Sequence, residues 1–164
     1  MNESRPCVLL LTFARRGEEE AIREGMAAVR EDLPGAEFVA LGTAVSAPVM
    51  RGLGLEDIIL VGEGRGTQAV MREVRARAPR GTLVVYSGPG LAGHWKLELL
   101  ALASGARRAY RWVPGGPMVV CGRLALAGSV VWKAGLAAVC LAVGGLVCGA
   151  AWLRLRGGRS GSGG

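Results

Sequence analysis

Two groups of residues in this chain combine types and spacing that can do chemistry. The first is Thr12, Arg15, Arg16, Gly17 and Glu18, and the second is Ser87, Gly88, Pro89, Gly90 and His94. An arginine pair beside a glycine-rich turn can hold a phosphate or a carboxylate, because guanidinium groups and exposed backbone N–H groups aim donors at one anion. The same residues also have a plain structural reading, since tight strand-to-helix turns require glycine and exposed arginines are common. His94 is the only histidine, and Glu98 follows at the four-residue spacing that puts two side chains on one helical face. A histidine oriented by a carboxylate is an acid–base unit. No nucleophile or metal ligand completes such a unit, so pairing on a helix surface or contact with lipid headgroups is the preferred reading of His94 and Glu98.

The elements that must position these residues alternate between strands and helices. Cys7 to Phe13 is an apolar run of the kind buried on both faces of a parallel sheet. Ile22, Met26, Val29 and Leu33 then recur at helical spacing, with Pro34-Gly35 as the stop. Strands are expected at Glu37–Leu41, Asp57–Val61, Thr82–Tyr86 and Arg107–Val113, and helices at Ser46–Leu53, Thr67–Ala78 and Leu91–Ser104. Short turns between strand–helix units imply right-handed crossovers and a Rossmann-like parallel sheet of about five strands with flanking helices. Ligands in such sheets bind beyond the carboxyl ends of the strands, where the strand order reverses. A central first strand would bring the turns after strands one and four together there. The helix Leu97–Ala103 is apolar nearly all round, so it either enters the core or lies against a membrane.

A dinucleotide site is disfavoured. Gly62-x-Gly64-x-Gly66 follows a strand and opens a helix, but it lacks the third glycine of the fingerprint and lies on the third strand. The first helix begins Gly17-Glu18-Glu19-Glu20. Those carboxylates suit the positive end of a helix dipole and would repel a pyrophosphate. The cysteines Cys7, Cys121, Cys140 and Cys148 have no metal-ligand spacing, so neither a metal nor a cofactor is expected.

Residues 134–153 contain no charged side chain and are bracketed by Lys133 and Arg154. A run of that length at about 1.5 Å per residue spans the roughly 30 Å core of a bilayer, so one transmembrane helix is expected near the C-terminus. All 13 acidic residues lie at or before Glu98. Arg107, Arg108, Arg111, Arg123 and Lys133 before the apolar run, and Arg154, Arg156 and Arg159 after it, therefore outweigh a nearly balanced N-terminal part and give the chain its net charge of +7. That placement suits anionic headgroups and excludes a nucleic-acid face, which needs basic residues clustered among aromatics. The expected partition is a cytoplasmic domain at 1–115, a basic and apolar connector at 116–133, the span at 134–153 and a flexible tail at 154–164. No secretory signal opens the chain, and the larger basic count before the span keeps the N-terminal domain cytoplasmic, on an inner cell membrane. Gly145 and Gly149 form a GxxxG element that lets helices pack closely.

The strand Val8–Phe13, the turn Arg15-Arg16-Gly17-Glu18, the helix ending Leu33-Pro34-Gly35-Ala36-Glu37 and the strand after it resemble the N-terminal domain of heptosyltransferase-like glycosyltransferases of family nine. Leu99-Leu-Ala-Leu-Ala-Ser-Gly-Ala-Arg-Arg108 resembles that domain's late helix and the turn into its next strand. The resemblance covers about residues 7–112. It implies one of two Rossmann-like domains that face each other across a cleft, the N-terminal one receiving the acceptor and the C-terminal one the nucleotide sugar. The family's first turn has a basic residue, then Gly-Asp, with the aspartate as the proposed base; the matching residues are Arg16, Gly17 and Glu18. Glutamate moves the carboxylate by about one bond length, which positioned catalysis tolerates poorly. A helix N-terminal carboxylate is the competing reading of Glu18. The apolar segment stands where the chain should continue to the donor domain, so catalysis would need a partner glycosyltransferase chain.

The expectation is a membrane-anchored, glycosyltransferase-like half-domain in glycolipid or cell-surface polysaccharide synthesis. It would bind a sugar, a nucleotide sugar or a lipid-linked acceptor and contact membrane lipids. The alternative is a non-catalytic tethered adaptor on a degenerate Rossmann scaffold.

Overall fold

Cys7–Leu11 forms strand β1, in the middle of the sheet. Its side chains alternate between two cores: Val8 and Leu10 face one, Leu9 and Leu11 the other. A strand buried on both faces has no polar positions, which is why its sequence is a continuous apolar run. A computed structural model describes residues 5–12, 17–62, 64–86, 95–135 and 138–139.

After β1 come α1 (Glu19–Asp32), β2 (Glu37–Gly42), α2 (Ala47–Gly52), β3 (Ile58–Leu60), α3 (Thr67–Ala76), β4 (Gly81–Val85), α4 (Trp95–Ala103), β5 (Arg108–Trp112) and β6 (Val119–Gly122). The six strands form one sheet in the order β3-β2-β1-β4-β5-β6. The first five are parallel and β6 runs antiparallel against β5. Helices cover both faces. On one, Ile22, Met26 and Val29 of α1 and Met50 of α2 pack against Val8, Leu10 and Leu83. On the other, Val70 and Val74 of α3 and Leu97 and Ala101 of α4 pack against Leu9, Val39 and Val84.

Most element ends fall within two residues of those expected. Two glycines permit close contacts: a Cβ at Gly42 would lie 2.7 Å from Met50 Sδ, and one at Gly25 would lie 3.1 Å from the Trp112 ring. The all-round apolar helix is resolved towards the core, since Leu97, Glu98 and Ala101 of α4 are buried.

The sheet departs from expectation at its far edge. Residues 116–133 were expected to be a connector. Instead β6 pairs along β5, and residues 123–135 are helical, with Leu126 in the second core. The first compact unit therefore runs to Val130, and a second comprises Val131–Gly164. Val119 and Val120 are about half exposed, as suits an edge strand, so no alternating pattern marks β6 in the sequence. Among the described residues no helix is long and apolar enough to cross a membrane. Of the expected span 134–153, only 134, 135, 138 and 139 are described; Gly145, Gly149 and the tail lie outside.

Candidate functional site

Strand order reverses between β1 and β4, which are hydrogen-bonded neighbours from Val8↔Gly81 to Leu11↔Val84. The segments 13–16 and 87–94 therefore leave from adjacent strand ends, at Thr12 and Tyr86. This is the crevice position at which ligands bind in doubly wound sheets. Arg15, Arg16, Ser87, Gly88, Pro89, Gly90 and His94 lie outside the described residues. Thr12, Gly17 and Glu18 lie within them.

Thr12 is 5% exposed, and its Oγ1 has no hydrogen-bond partner among the described residues. A buried hydroxyl left without a partner costs about 1–3 kcal/mol, so it marks a polar position held open in the fold. Thr12 lines a pocket of about 360 Å³ at the carboxyl ends of β1, β2 and β3, walled by Leu11, Leu41, Val61, Leu97 and Leu100. Thr43 and Ser46 also reach it, but their hydroxyls serve the entry to α2. Thr43 N–H donates to Ser46 Oγ at 2.9 Å, and Ser46 Oγ donates to the Thr43 carbonyl at 3.2 Å. Thr12 supplies the uncommitted hydroxyl.

Gly17 has φ +91°, a left-handed conformation that disfavours side chains, and its N–H donates to Glu19 Oε2 at 2.7 Å. Glu18 is the N-cap residue of α1, half-buried, with its carbonyl accepting from Ile22 N–H at 3.1 Å. Glu19 and Glu20 occupy the first turn, at the positive end of the helix dipole. Glu18 is not among the residues lining the Thr12 pocket. The structure brings Thr12 into a pocket and sets Gly17 and Glu18 at a helix start.

Glu98 is corrected more sharply. It was expected on a helix surface, yet it is wholly buried. Tyr86 donates its hydroxyl to Glu98 Oε1, Ser129 Oγ donates to Oε2 at 3.0 Å, and Arg111 Nη2 lies 3.1 Å from Oε1. Arg111, expected at lipid headgroups, instead turns inward, its side chain 21% exposed. Among the described residues its Nε and Nη2 meet no acceptor in hydrogen-bonding geometry, so the contact with Glu98 is electrostatic rather than directional. Burial first, then the hydrogen bond to Glu98, pushes the Tyr86 phenol well above its ordinary value. The signal in the sequence was a lone carboxylate in an otherwise apolar helix, which a solvated pair with His94 seemed to explain. The cluster braces the carboxyl end of β4 and β5 against residues 123–130.

The glycine turn 62–66 follows β3, at the sheet edge farthest from β6, with β2 and β1 between it and the reversal point. Gly62 and Arg65 close it with an isolated bridge. Among the described residues no group of three His, Cys, Asp or Glu is arranged to hold a metal ion. No family model, curated protein or solved structure matches the chain.

Proposed function

We propose that this protein is a membrane-anchored, glycosyltransferase-like half-domain. On this reading its Rossmann-like sheet presents a sugar, nucleotide-sugar or lipid-linked acceptor site at the carboxyl ends of β1 and β4, and a partner chain supplies the other half. The observation that carries the reading is the buried hydroxyl of Thr12, which has no hydrogen-bond partner among the described residues and lines a pocket at the carboxyl ends of β1, β2 and β3, beside the point where strand order reverses. Arg15, Arg16 and Glu18 follow it in sequence and are residue types that can bind an anion or accept a proton.

Arg123 donates to the Leu102 carbonyl near the end of α4, and Ser129 meets Glu98 near its start. Residues 123–130 thus run antiparallel to α4 and end at the carboxyl edge of the sheet. On this reading a transmembrane helix at 134–153 tethers the unit to the cytoplasmic side of an inner cell membrane.

The adaptor reading draws on a different feature. Val119 and Val120 on the outer edge of β6 and Leu124, which is 90% exposed, present apolar surface beside an unpaired strand edge.

The test is a thermal-shift screen of the full chain in non-ionic detergent against nucleotide sugars, free nucleotides and acceptor sugars. A concentration-dependent rise in melting temperature that disappears in Thr12→Val and Glu18→Ala supports the half-site. A cooperative transition indifferent to every ligand leaves the adaptor.

A further inference from the structure

The opposite end of the sheet carries a concentration of donors that the carboxyl-end pocket does not use. A depression of about 860 Å³ there is lined by Arg75, Arg80, Arg107 and Arg108, together with Ser104 and Tyr110, and no lining residue is acidic. The arginines come from separate parts of the chain and are held in place. Arg80 N–H donates to the Cys7 carbonyl at 2.8 Å, and Arg107 N–H to the Arg80 carbonyl at 3.3 Å, which ties the turns before β4 and β5 together. Arg75 Nε donates to the Ala103 carbonyl at 2.9 Å. Arg108 Nη1 lies 3.3 Å from Asp32 Oδ2, which also accepts from the Tyr110 hydroxyl at 2.7 Å.

One carboxylate therefore stands against four guanidinium groups, and the side chains of Arg80 and Arg107 have no ion pair among the described residues. The neighbouring depression at this end, of about 930 Å³, differs in kind. It holds Arg5, Arg23 and Arg30, but also Glu37, Glu56 and Asp57, so its charges balance internally. Three of the four, Arg75, Arg80 and Arg107, have no carboxylate partner among the described residues, and a multivalent anion relieves the repulsion between like charges. Guanidinium forks match phosphate oxygens two at a time, which a point charge cannot do.

We propose that this arginine depression is a phosphate-binding site, distinct from the pocket at Thr12, that takes a diphosphate or closely spaced phosphate groups. The phosphate comes either from a soluble ligand or from lipid headgroups, and the chemistry of recognition is the same.

The full chain in non-ionic detergent is titrated with inorganic pyrophosphate by calorimetry. Saturable binding is expected, weakened about tenfold in Arg80→Gln/Arg107→Gln and unchanged in Arg23→Gln, which lies in the balanced depression. Both arginines of the double variant are exposed, so its melting temperature should match that of the parent. The titration is repeated in nanodiscs of phosphatidylcholine with and without phosphatidylglycerol. Suppression by the anionic lipid identifies headgroups as the phosphate source, and equal binding in both identifies a soluble ligand. Absence of binding, or weakening by Arg23→Gln equal to that by the double variant, overturns the proposal.

Discussion

Glu98 shows how much one buried carboxylate can constrain. A charge removed from water is tolerated only when partners replace its hydration, and here Tyr86, Arg111 and Ser129 do so. Glu98→Gln keeps the shape and removes the charge, leaving Arg111 without its counter-ion; a loss of roughly 3 kcal/mol is expected, read as a fall in the urea midpoint at constant slope. A change below about 0.5 kcal/mol would show that solvent already satisfies Arg111. Tyr86 adds a pH dependence. Its folded-state value is raised above the ordinary tyrosine range, so the unfolded chain releases the proton first as pH rises. The stability contributed by the protonated phenol is therefore complete below about pH 10 and declines above it. In Tyr86→Phe this alkaline loss should be smaller, although Tyr110, also raised by burial and its bond to Asp32, retains a share. An identical alkaline titration of stability in Tyr86→Phe would refute the assignment.

Among the elements, β6 and the helical residues after it decide where the folded unit ends. Without them β5 becomes a bare edge, Leu126 leaves the second core, and Ser129 no longer caps Glu98. A chain stopped at residue 115 should thus melt well below one stopped at Val130, or fail to melt cooperatively. The comparison is a pair of circular-dichroism melts, and superimposable curves would restore the shorter boundary. The strand–helix alternation up to α4 was readable because burial on both faces produces apolar runs and burial on one face produces helical spacing, as in Val8–Leu11 and Ile22–Val29. Strand β6 was not, because an edge strand exposed on both sides has no obligatory pattern. The apolar run before it placed Thr12 at the end of β1, where it lines a pocket. The partners of Glu98 were missed, since Arg111 and Ser129 meet it only when β5 and residues 123–130 close over α4.

For the molecule as a whole, the proposed anchor makes a direct prediction about partitioning. The full chain should stay with membranes through an alkaline carbonate wash, whereas a chain ending at Val130 should be released to the supernatant. Release of the full chain by carbonate would remove the transmembrane helix from the proposal and leave the basic C-terminal part as a peripheral contact. The charge itself is distributed differently from its order in sequence. Arg107 and Arg108 join Arg75 and Arg80 at the amino-terminal edge of the sheet, Arg111 is turned inward, and Arg123 reaches back to α4. Basic residues close to the apolar segment in sequence thus do not act as one group.

The amino-acid sequence by itself determined the alternation of elements, the burial of β1, the turns at Gly17 and Gly35, and the separation of a charge-balanced N-terminal part from a basic C-terminal one. Each of these depends on neighbours within a few residues, through side-chain period, backbone freedom or charge. Tertiary structure alone decided the strand order, the antiparallel sixth strand, the pairing of Glu98 with Arg111, and the meeting of arginines from α3, β5 and the turns before β4 and β5. Those depend on register between segments tens of residues apart, which no local pattern encodes.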